Sequence, residues 1–71
     1  MNPECKMKLD MLAERGIVTS IAYGNCGNGG IMFSVQCLSR SGKEFDKPFG
    51  ANDFEQAVEI AVIECRERGW L

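Results

Sequence analysis

The clearest structural signal in this chain of 71 residues is the stretch NDFEQAVEIAVIECRERG, residues 52–69. Its apolar side chains recur every three to four residues, the spacing of one face of an α-helix. Asn52 is followed three residues later by Glu55, the spacing of a capping box, and Gly69 is typical of a helix C-terminus. We therefore predict an amphipathic helix with a core face of Phe54, Ala57, Val58, Ala61 and Cys65.

The residues before this helix predict β-strands, because β-branched and aromatic side chains are concentrated in short segments. Three such segments lie at residues 17–23, 31–39 and 43–48. A glycine-rich segment, residues 24–30, separates the first two, and Ser41 with Gly42 indicates a hairpin before the third. Pro48 cannot donate a ladder hydrogen bond, so we expect the third strand at a sheet edge.

A second helix is predicted at the N-terminus, where Asn2 is a favourable N-cap and Pro3 suits the first helical position. Its expected apolar stripe consists of Cys5, Leu9, Leu12 and Ala13, and Gly16 is expected to end it. The sequence therefore predicts an α+β fold in the order α-β-β-β-α. We expect a three-stranded antiparallel sheet with two helices packed on one face, in a single domain over residues 1–71.

The charged residues argue against an enzyme. The chain has a formal net charge of −2 and no histidine, which excludes histidine-based catalysis and histidine metal ligands. The carboxylates lie mostly on helix faces expected in solvent, where they are poor general bases. We therefore expect a protein that is not an enzyme and that needs no cofactor or metal ion.

Location in the cell is inferred from the absence of hydrophobic targeting segments. No apolar run approaches the roughly 18 residues that a membrane span requires. The first 15 residues lack the apolar core of a signal peptide. We therefore expect a cytoplasmic protein without a membrane partner.

The cysteines Cys5, Cys26, Cys37 and Cys65 are open to three interpretations: a zinc site, disulfides or free thiols. None forms the C-x-x-C pair that is common in structural zinc sites, and disulfides need an oxidising compartment. The favoured interpretation is four reduced, metal-free cysteines that act as small apolar residues. Cys37 and Cys65 are then expected on facing apolar surfaces, with Cys26 the most exposed.

The glycine-rich segment 24–30 does not match a phosphate-binding loop. Such a loop leads into a helix N-terminus and carries Lys and Ser or Thr, whereas this segment leads into another strand. We expect a mobile loop between strands that can serve as a contact surface. Its candidate partner-binding residues are Asn25, Cys26 and Asn28.

The element order resembles that of the double-stranded RNA-binding domain. The resemblance implies two helices on one sheet face and a lysine cluster at the start of the second helix. This chain has Asn52-Asp53-Phe54-Glu55 there, and its last helix carries more carboxylates than cations. The basic residues Arg40, Lys43 and Lys47 are offset by neighbouring acids. The charge pattern argues against direct nucleic-acid binding, which stays the alternative function.

Surplus apolar residues on the last helix indicate a protein partner or a homodimer. Ile60 and Ile63 lie outside the predicted core face, and acidic residues surround them. The predicted partner-binding surface comprises Glu55, Glu59, Ile60, Ile63, Glu64 and Glu67. Alternatively, Trp70, Leu71 or the N-terminal helix covers the two isoleucines within the monomer.

In size, acidity and lack of catalytic motifs the chain resembles the small accessory proteins of bacteriophages and mobile elements, such as anti-CRISPR inhibitors. The resemblance implies a non-enzymatic inhibitor that occupies a surface of a host nucleoprotein complex. By this hypothesis, the acidic helix presents its carboxylates to a basic nucleic-acid-binding surface.

Overall fold

The computed structural model describes residues 2–25 and 27–71. Their secondary structure comprises α1 (Pro3–Glu14), β1 (Val18–Asn25), a 3₁₀ turn (Gly27–Gly29), β2 (Ile31–Leu38), β3 (Glu44–Ala51) and α2 (Phe54–Glu67). The predicted α+β fold and its order α-β-β-β-α are therefore confirmed. The strands differ from their predicted bounds mainly at two places: β1 continues through Asn25, and β3 continues past Pro48 to Ala51.

Among the described residues, the sheet is an antiparallel meander in the order β1-β2-β3. β1 pairs with β2 in continuous register from Val18 opposite Leu38 to Asn25 opposite Ile31. The β2–β3 ladder shifts register between Phe33 and Val35. The shift lies where β3 contains Pro48, whose nitrogen cannot donate to the ladder. The predicted edge position of this strand is confirmed.

Both helices pack on one face of the sheet and bury a small apolar core between the two layers. Its buried members are Leu12, Ile17, Val35, Cys37, Phe45, Ala51, Ala57, Ala61, Val62 and Cys65. Val58 is also fully buried, whereas Phe33 and Phe54 are only partly buried. Phe54 is the first residue of α2, so it lies at the margin of the helix–sheet contact.

The apolar stripe predicted on α1 is partly wrong. Cys5 and Leu12 are buried and Leu9 is half-buried, but Ala13 is exposed. α1 packs against the sheet and against α2 through a narrow strip of its surface, and Ala13 lies outside this strip. Asn2 is the N-cap as predicted, because its side-chain oxygen accepts a hydrogen bond from the Glu4 N–H at 2.8 Å.

The N-cap of α2 is Asp53, one residue after the predicted Asn52. The Asp53 carboxylate accepts from the Gln56 N–H at 2.7 Å, and the Gln56 side-chain oxygen accepts from the Asn52 N–H at 2.7 Å. The capping pair is therefore Asp53 with Gln56 rather than Asn52 with Glu55. Both pairs have the same spacing, and the shift leaves Glu55 available for a contact with α1.

Both helices end in the same way. Gly16 and Gly69 have left-handed φ values of 80° and 75°, respectively. In each case the N–H of the residue after the glycine donates to the carbonyl five residues earlier. Ile17 donates to Leu12 at 3.0 Å, and Trp70 donates to Cys65 at 2.9 Å. These Schellman motifs confirm the two predicted glycine stops and direct Trp70 onto the core. Within the described ranges, no helix is long and apolar enough to cross a membrane.

Candidate functional site

The surface predicted on α2 is divided between two sides of the helix. Glu55 and Glu59 lie toward α1. The Asn2 side-chain amide donates to Glu55 Oε1 at 3.1 Å, and Lys8 forms an ion pair with Glu59. Both carboxylates therefore have partners within the chain, and they link the two helices.

Ile60 and Glu64 lie on the opposite side of α2, toward β3. Glu64 forms ion pairs with Arg68 and with Lys47, whose Nζ lies 3.2 Å from Glu64 Oε1. Hydrogen bonds from Arg68 and Lys47 lower the pKa of the Glu64 carboxyl below its ordinary value. Ile60 is half-buried against the core beside Gly50. The side chain of Ile60 is therefore packed within the monomer.

The most exposed part of the predicted α2 surface lies along its outer crest. Ile63 is 41% exposed there, and Glu67 is also exposed. Among the described residues, no ion pair involves Glu67. The acidic residues expected around the two isoleucines are largely paired within the chain, because Glu55, Glu59 and Glu64 have partners in distant segments or in the C-cap Arg68.

Described residues of the predicted loop surface form two hydrogen bonds. Asn25 Oδ1 accepts from the Gly27 N–H at 2.8 Å, and the Gly30 N–H donates to the Gly27 carbonyl at 3.1 Å. These bonds form a side-chain-capped turn that leads into the 3₁₀ segment. Asn28 is exposed at its tip, and Cys26 lies outside the described residues.

Aromatic side chains border this turn on the helix-bearing face of the sheet. The ring centroids of Tyr23 and Phe33 are 4.6 Å apart, and those of Phe33 and Phe54 are 6.3 Å apart. Tyr23 is 65% exposed and Ile31 is 64% exposed. No sequence pattern indicates the exposure of Tyr23 and Ile31, because exposure at the end of a strand depends on how far the helices extend over the sheet.

The two edges of the sheet differ in their protection. β3 contains the register shift and carries Glu44, Asp46, Lys47 and Pro48. Charged side chains, proline and irregular register all protect a sheet edge from further pairing. β1 has the sequence VTSIAYGN, with no charge and no proline, and pairs with β2 without a register shift. β1 is therefore the unprotected edge of the described sheet.

The face of the sheet opposite the helices is open. Val18 and Leu38 are directly opposite each other on it and are 60% and 41% exposed. A shallow groove of about 300 Å³ crosses the same face. Its side chains come mainly from Ser20, Ala22, Ser34, Gln36 and Asp46. The unprotected edge of β1 thus adjoins a mixed polar and apolar surface.

The described cysteines have the properties of core residues. Cys5, Cys37 and Cys65 are free and buried. Cys37 and Cys65 meet between sheet and helix, as predicted, and Cys37 Sγ lies 3.8 Å from Thr19 Oγ1. Burial raises the pKa of the Cys37 thiol, and burial with the nearby Cys37 raises that of Cys65 to about 12. Neither thiol is a ready nucleophile or metal ligand near neutral pH.

In the part of the chain that the structure describes, no group of three cysteine, aspartate or glutamate residues is arranged to hold a metal ion. Comparison with known proteins finds no matching family model, curated protein or solved structure. The resemblances to the double-stranded RNA-binding domain and to phage inhibitors stay predictions. Function is therefore inferred from the geometry of this chain, and above all from the unequal edges of its sheet.

Proposed function

We propose that this chain is a non-enzymatic protein-binding module that pairs its β1 edge with an extended segment of a partner protein. The observation that carries the proposal is the contrast between the protected edge β3 and the unprotected edge β1. Long uncharged edges without proline or bulges are rare in proteins that must avoid pairing. An edge of this kind is well suited to strand addition.

Strand addition uses the backbone of residues 18–23. In an edge strand, alternate N–H and C=O groups point away from the neighbouring strand, and an added strand binds them through a new ladder. Val18 on the open face and Tyr23 on the helix-bearing face are both largely exposed beside this edge. They supply apolar contacts on the two sides of an added strand.

The chemistry of the edge defines the partner segment. β1 carries no charge that would pair with a charged strand. A neutral segment with small or apolar side chains at alternate positions fits this edge, since backbone bonds supply the affinity and side chains the selectivity.

By this binding mode, the hypothetical inhibitor acts by steric blocking. A strand added from a host complex would hold the domain over that surface and block access to it. The acidic helix is not required, because Glu55, Glu59 and Glu64 already have partners within the chain. A host nucleoprotein complex stays the proposed target, on the basis of size, acidity and absence of catalytic motifs.

The test compares Ser20→Lys with Gln36→Lys. These residues are directly opposite each other on β1 and β2 and are both exposed, so the variants add the same charge to the same face. Only Ser20→Lys places it on the edge strand, where lysine opposes pairing. Partners retained by the tagged chain from a bacterial lysate would be identified by mass spectrometry, purified and titrated by calorimetry.

We expect Ser20→Lys to weaken partner binding at least about tenfold and Gln36→Lys to leave it nearly unchanged. Equal binding by both variants would show that β1 is not the binding edge. Light scattering of the purified chain gives a further check. A wild-type dimer that dissociates only in Ser20→Lys would identify a second copy as the added strand and contradict the proposed partner protein.

A further inference from the structure

A basic groove lies at the end of the molecule where both helix C-termini meet the β2–β3 hairpin. It has a volume of about 350 Å³. Its lining includes Arg15, Arg40, Lys43, Arg68 and Trp70. This lining contains four cationic side chains and no carboxylate side chain, in a chain whose formal net charge is −2. The groove is thus a local concentration of positive charge on an acidic protein.

Most of these cations have no carboxylate partner within the described residues. Lys6, Lys8 and Lys47 form ion pairs away from the groove, and Arg68, within its lining, pairs with Glu64. Arg15, Arg40 and Lys43 form no such pair, and all three line the groove and are exposed. Their charge is therefore available to a ligand.

The helix ends account for only part of this charge. Each helix C-terminus carries roughly half a negative elementary charge, so two together offset about one cation. Arg68 is further occupied by Glu64 and by the ring of Phe45, 4.5 Å from its guanidinium carbon. The positive charge of Arg15, Arg40 and Lys43 still exceeds the negative charge of the two helix ends. This excess positive charge favours an anionic ligand.

Hydrogen bonds stabilise the backbone of the hairpin that carries Arg40 and Lys43. Ser39 and Ser41 place their hydroxyl oxygens 3.0 Å apart, and Ser39 Oγ accepts from the Lys43 N–H at 3.1 Å. The Arg40 guanidinium lies against Gly16, where an added Cβ would stand only 2.5 Å from Nε. Gly16 thereby lets the hairpin arginine approach the end of α1, close to Arg15.

Trp70 supplies an aromatic wall to the same groove. The Schellman motif at Gly69 fixes its backbone, and its ring packs on Phe45 with centroids 5.8 Å apart. The side chain stays partly exposed. A planar base can stack on such a ring while phosphate oxygens contact neighbouring cations, which is the usual mode for single-stranded nucleic acids.

We propose that this groove binds a nucleotide, either free or as part of a single-stranded nucleic acid. Arg15, Arg40 and Lys43 contact the phosphate, with the serine hydroxyls beside them, and Trp70 contacts the base. The guanidinium groups suit phosphate because they donate two parallel hydrogen bonds. The site is separate from the β1 edge and does not depend on the protein-binding function proposed above. It also lies at the opposite end of α2 from the position implied by the RNA-binding-domain resemblance.

The test uses a fluorescein-labelled single-stranded oligonucleotide, read by fluorescence anisotropy at low and at physiological ionic strength. Adenosine monophosphate and inorganic phosphate serve as unlabelled competitors. The groove variant is Arg40→Ala with Lys43→Ala. Its matched control is Lys6→Ala with Arg66→Ala, which removes two exposed cations outside the groove. Melting curves establish that both variants are folded, and the single change Arg15→Gln repeats the test on another element.

We expect the groove variant to lose about tenfold in affinity. The slope of log affinity against log salt concentration should become shallower by about two, while the control stays close to wild type. Competition by adenosine monophosphate supports a free nucleotide as ligand, and binding of the oligonucleotide alone supports a strand. Trp70→Phe should reduce the preference for the nucleotide over inorganic phosphate. The proposal is overturned if no probe binds saturably at low salt, or if the control loses as much affinity as the groove variant. Ser20→Lys should bind the nucleotide normally, which separates this site from the β1 edge.

Discussion

Lys47 Nζ lies 3.2 Å from Glu64 Oε1 and connects the edge strand β3 to α2. The contact changes the interpretation of both residues. The sequence placed Lys47 in a basic cluster and Glu64 on an acidic partner-binding surface, but the two charges engage each other. The basic cluster is completed instead by Arg15 and Arg68 at the helix ends.

The first prediction concerns Glu64 and pH. Its folded-state pKa is depressed, so its contribution to stability is present above the unfolded pKa and is lost as pH falls through the folded value. We expect the wild type to lose stability on acidification through and below the ordinary glutamate range. Glu64→Gln should lose less over the same window, as measured by urea unfolding at a series of pH values. Parallel curves for the two proteins would contradict the assigned role.

The second prediction separates the two candidate N-caps of α2. Asp53→Ala removes the acceptor of the Gln56 N–H and should cost about 1 kcal/mol of unfolding free energy. Asn52→Ala leaves the bond from its own N–H to Gln56 intact and should cost only a few tenths. Urea denaturation of both variants measures the difference. A larger loss of unfolding free energy for Asn52→Ala would identify Asn52 as the N-cap, as the sequence predicted.

The third prediction ranks two phenylalanines. Phe45 is 6% exposed and contacts Trp70 and Arg68, so Phe45→Ala should cost about 3–5 kcal/mol. That loss is a large part of the stability of a domain this small. Phe54 is only partly buried, and Phe54→Ala should cost less. Thermal unfolding of the two variants gives the order, and the reverse order would contradict the placement of the core.

The sequence predicted those parts of the fold that depend on local patterns. Helical periodicity, the cap at Asn2, the stops at Gly16 and Gly69 and the edge position indicated by Pro48 are all properties of short segments. The α2 cap was misplaced because Asn52 and Asp53 are both good caps with a suitable residue three positions later.

The candidate surfaces depend on contacts between distant segments, which no local pattern contains. Lys8 and Glu59 are 51 residues apart in the chain, and Asn2 and Glu55 are 53 apart. The exposure of Tyr23 likewise depends on where the helix layer ends over the sheet. The contrast between β1 and β3 was present in the sequence, but it acquires meaning only once β1 is known to lie at an edge.

The fourth prediction concerns cysteine reactivity. Burial raises the pKa of Cys37, and burial with the nearby Cys37 raises the pKa of Cys65 to about 12, so both are protonated thiols at neutral pH. We expect iodoacetamide to leave Cys5, Cys37 and Cys65 unmodified in the folded protein and to modify them after denaturation. Peptide mass spectrometry reads each site separately, with Cys26→Ser as the background. Rapid modification of Cys65 in the folded protein would contradict its burial.

The fifth prediction decides between α2 and β1 as the partner-binding surface. Ile63→Asp with Glu67→Lys changes the exposed crest of α2 without touching an ion pair seen in the described residues. Surface changes of this kind usually alter stability by no more than about 0.5 kcal/mol each, so the variant should fold. If β1 carries the interaction, this variant binds the purified partner as tightly as the wild type, whereas Ser20→Lys does not.

The α2 hypothesis requires the opposite result in the same titration. Loss of the apolar Ile63 would then speed dissociation, and reversal of the Glu67 charge would slow association with a basic partner and change its salt dependence. Surface plasmon resonance at two ionic strengths separates these rate effects. Weak binding by the α2 variant together with normal binding by Ser20→Lys would move the partner from the sheet edge to the helix. The wild-type chain and Gln36→Lys, run in parallel, establish that neither added charge nor handling of the protein causes the change.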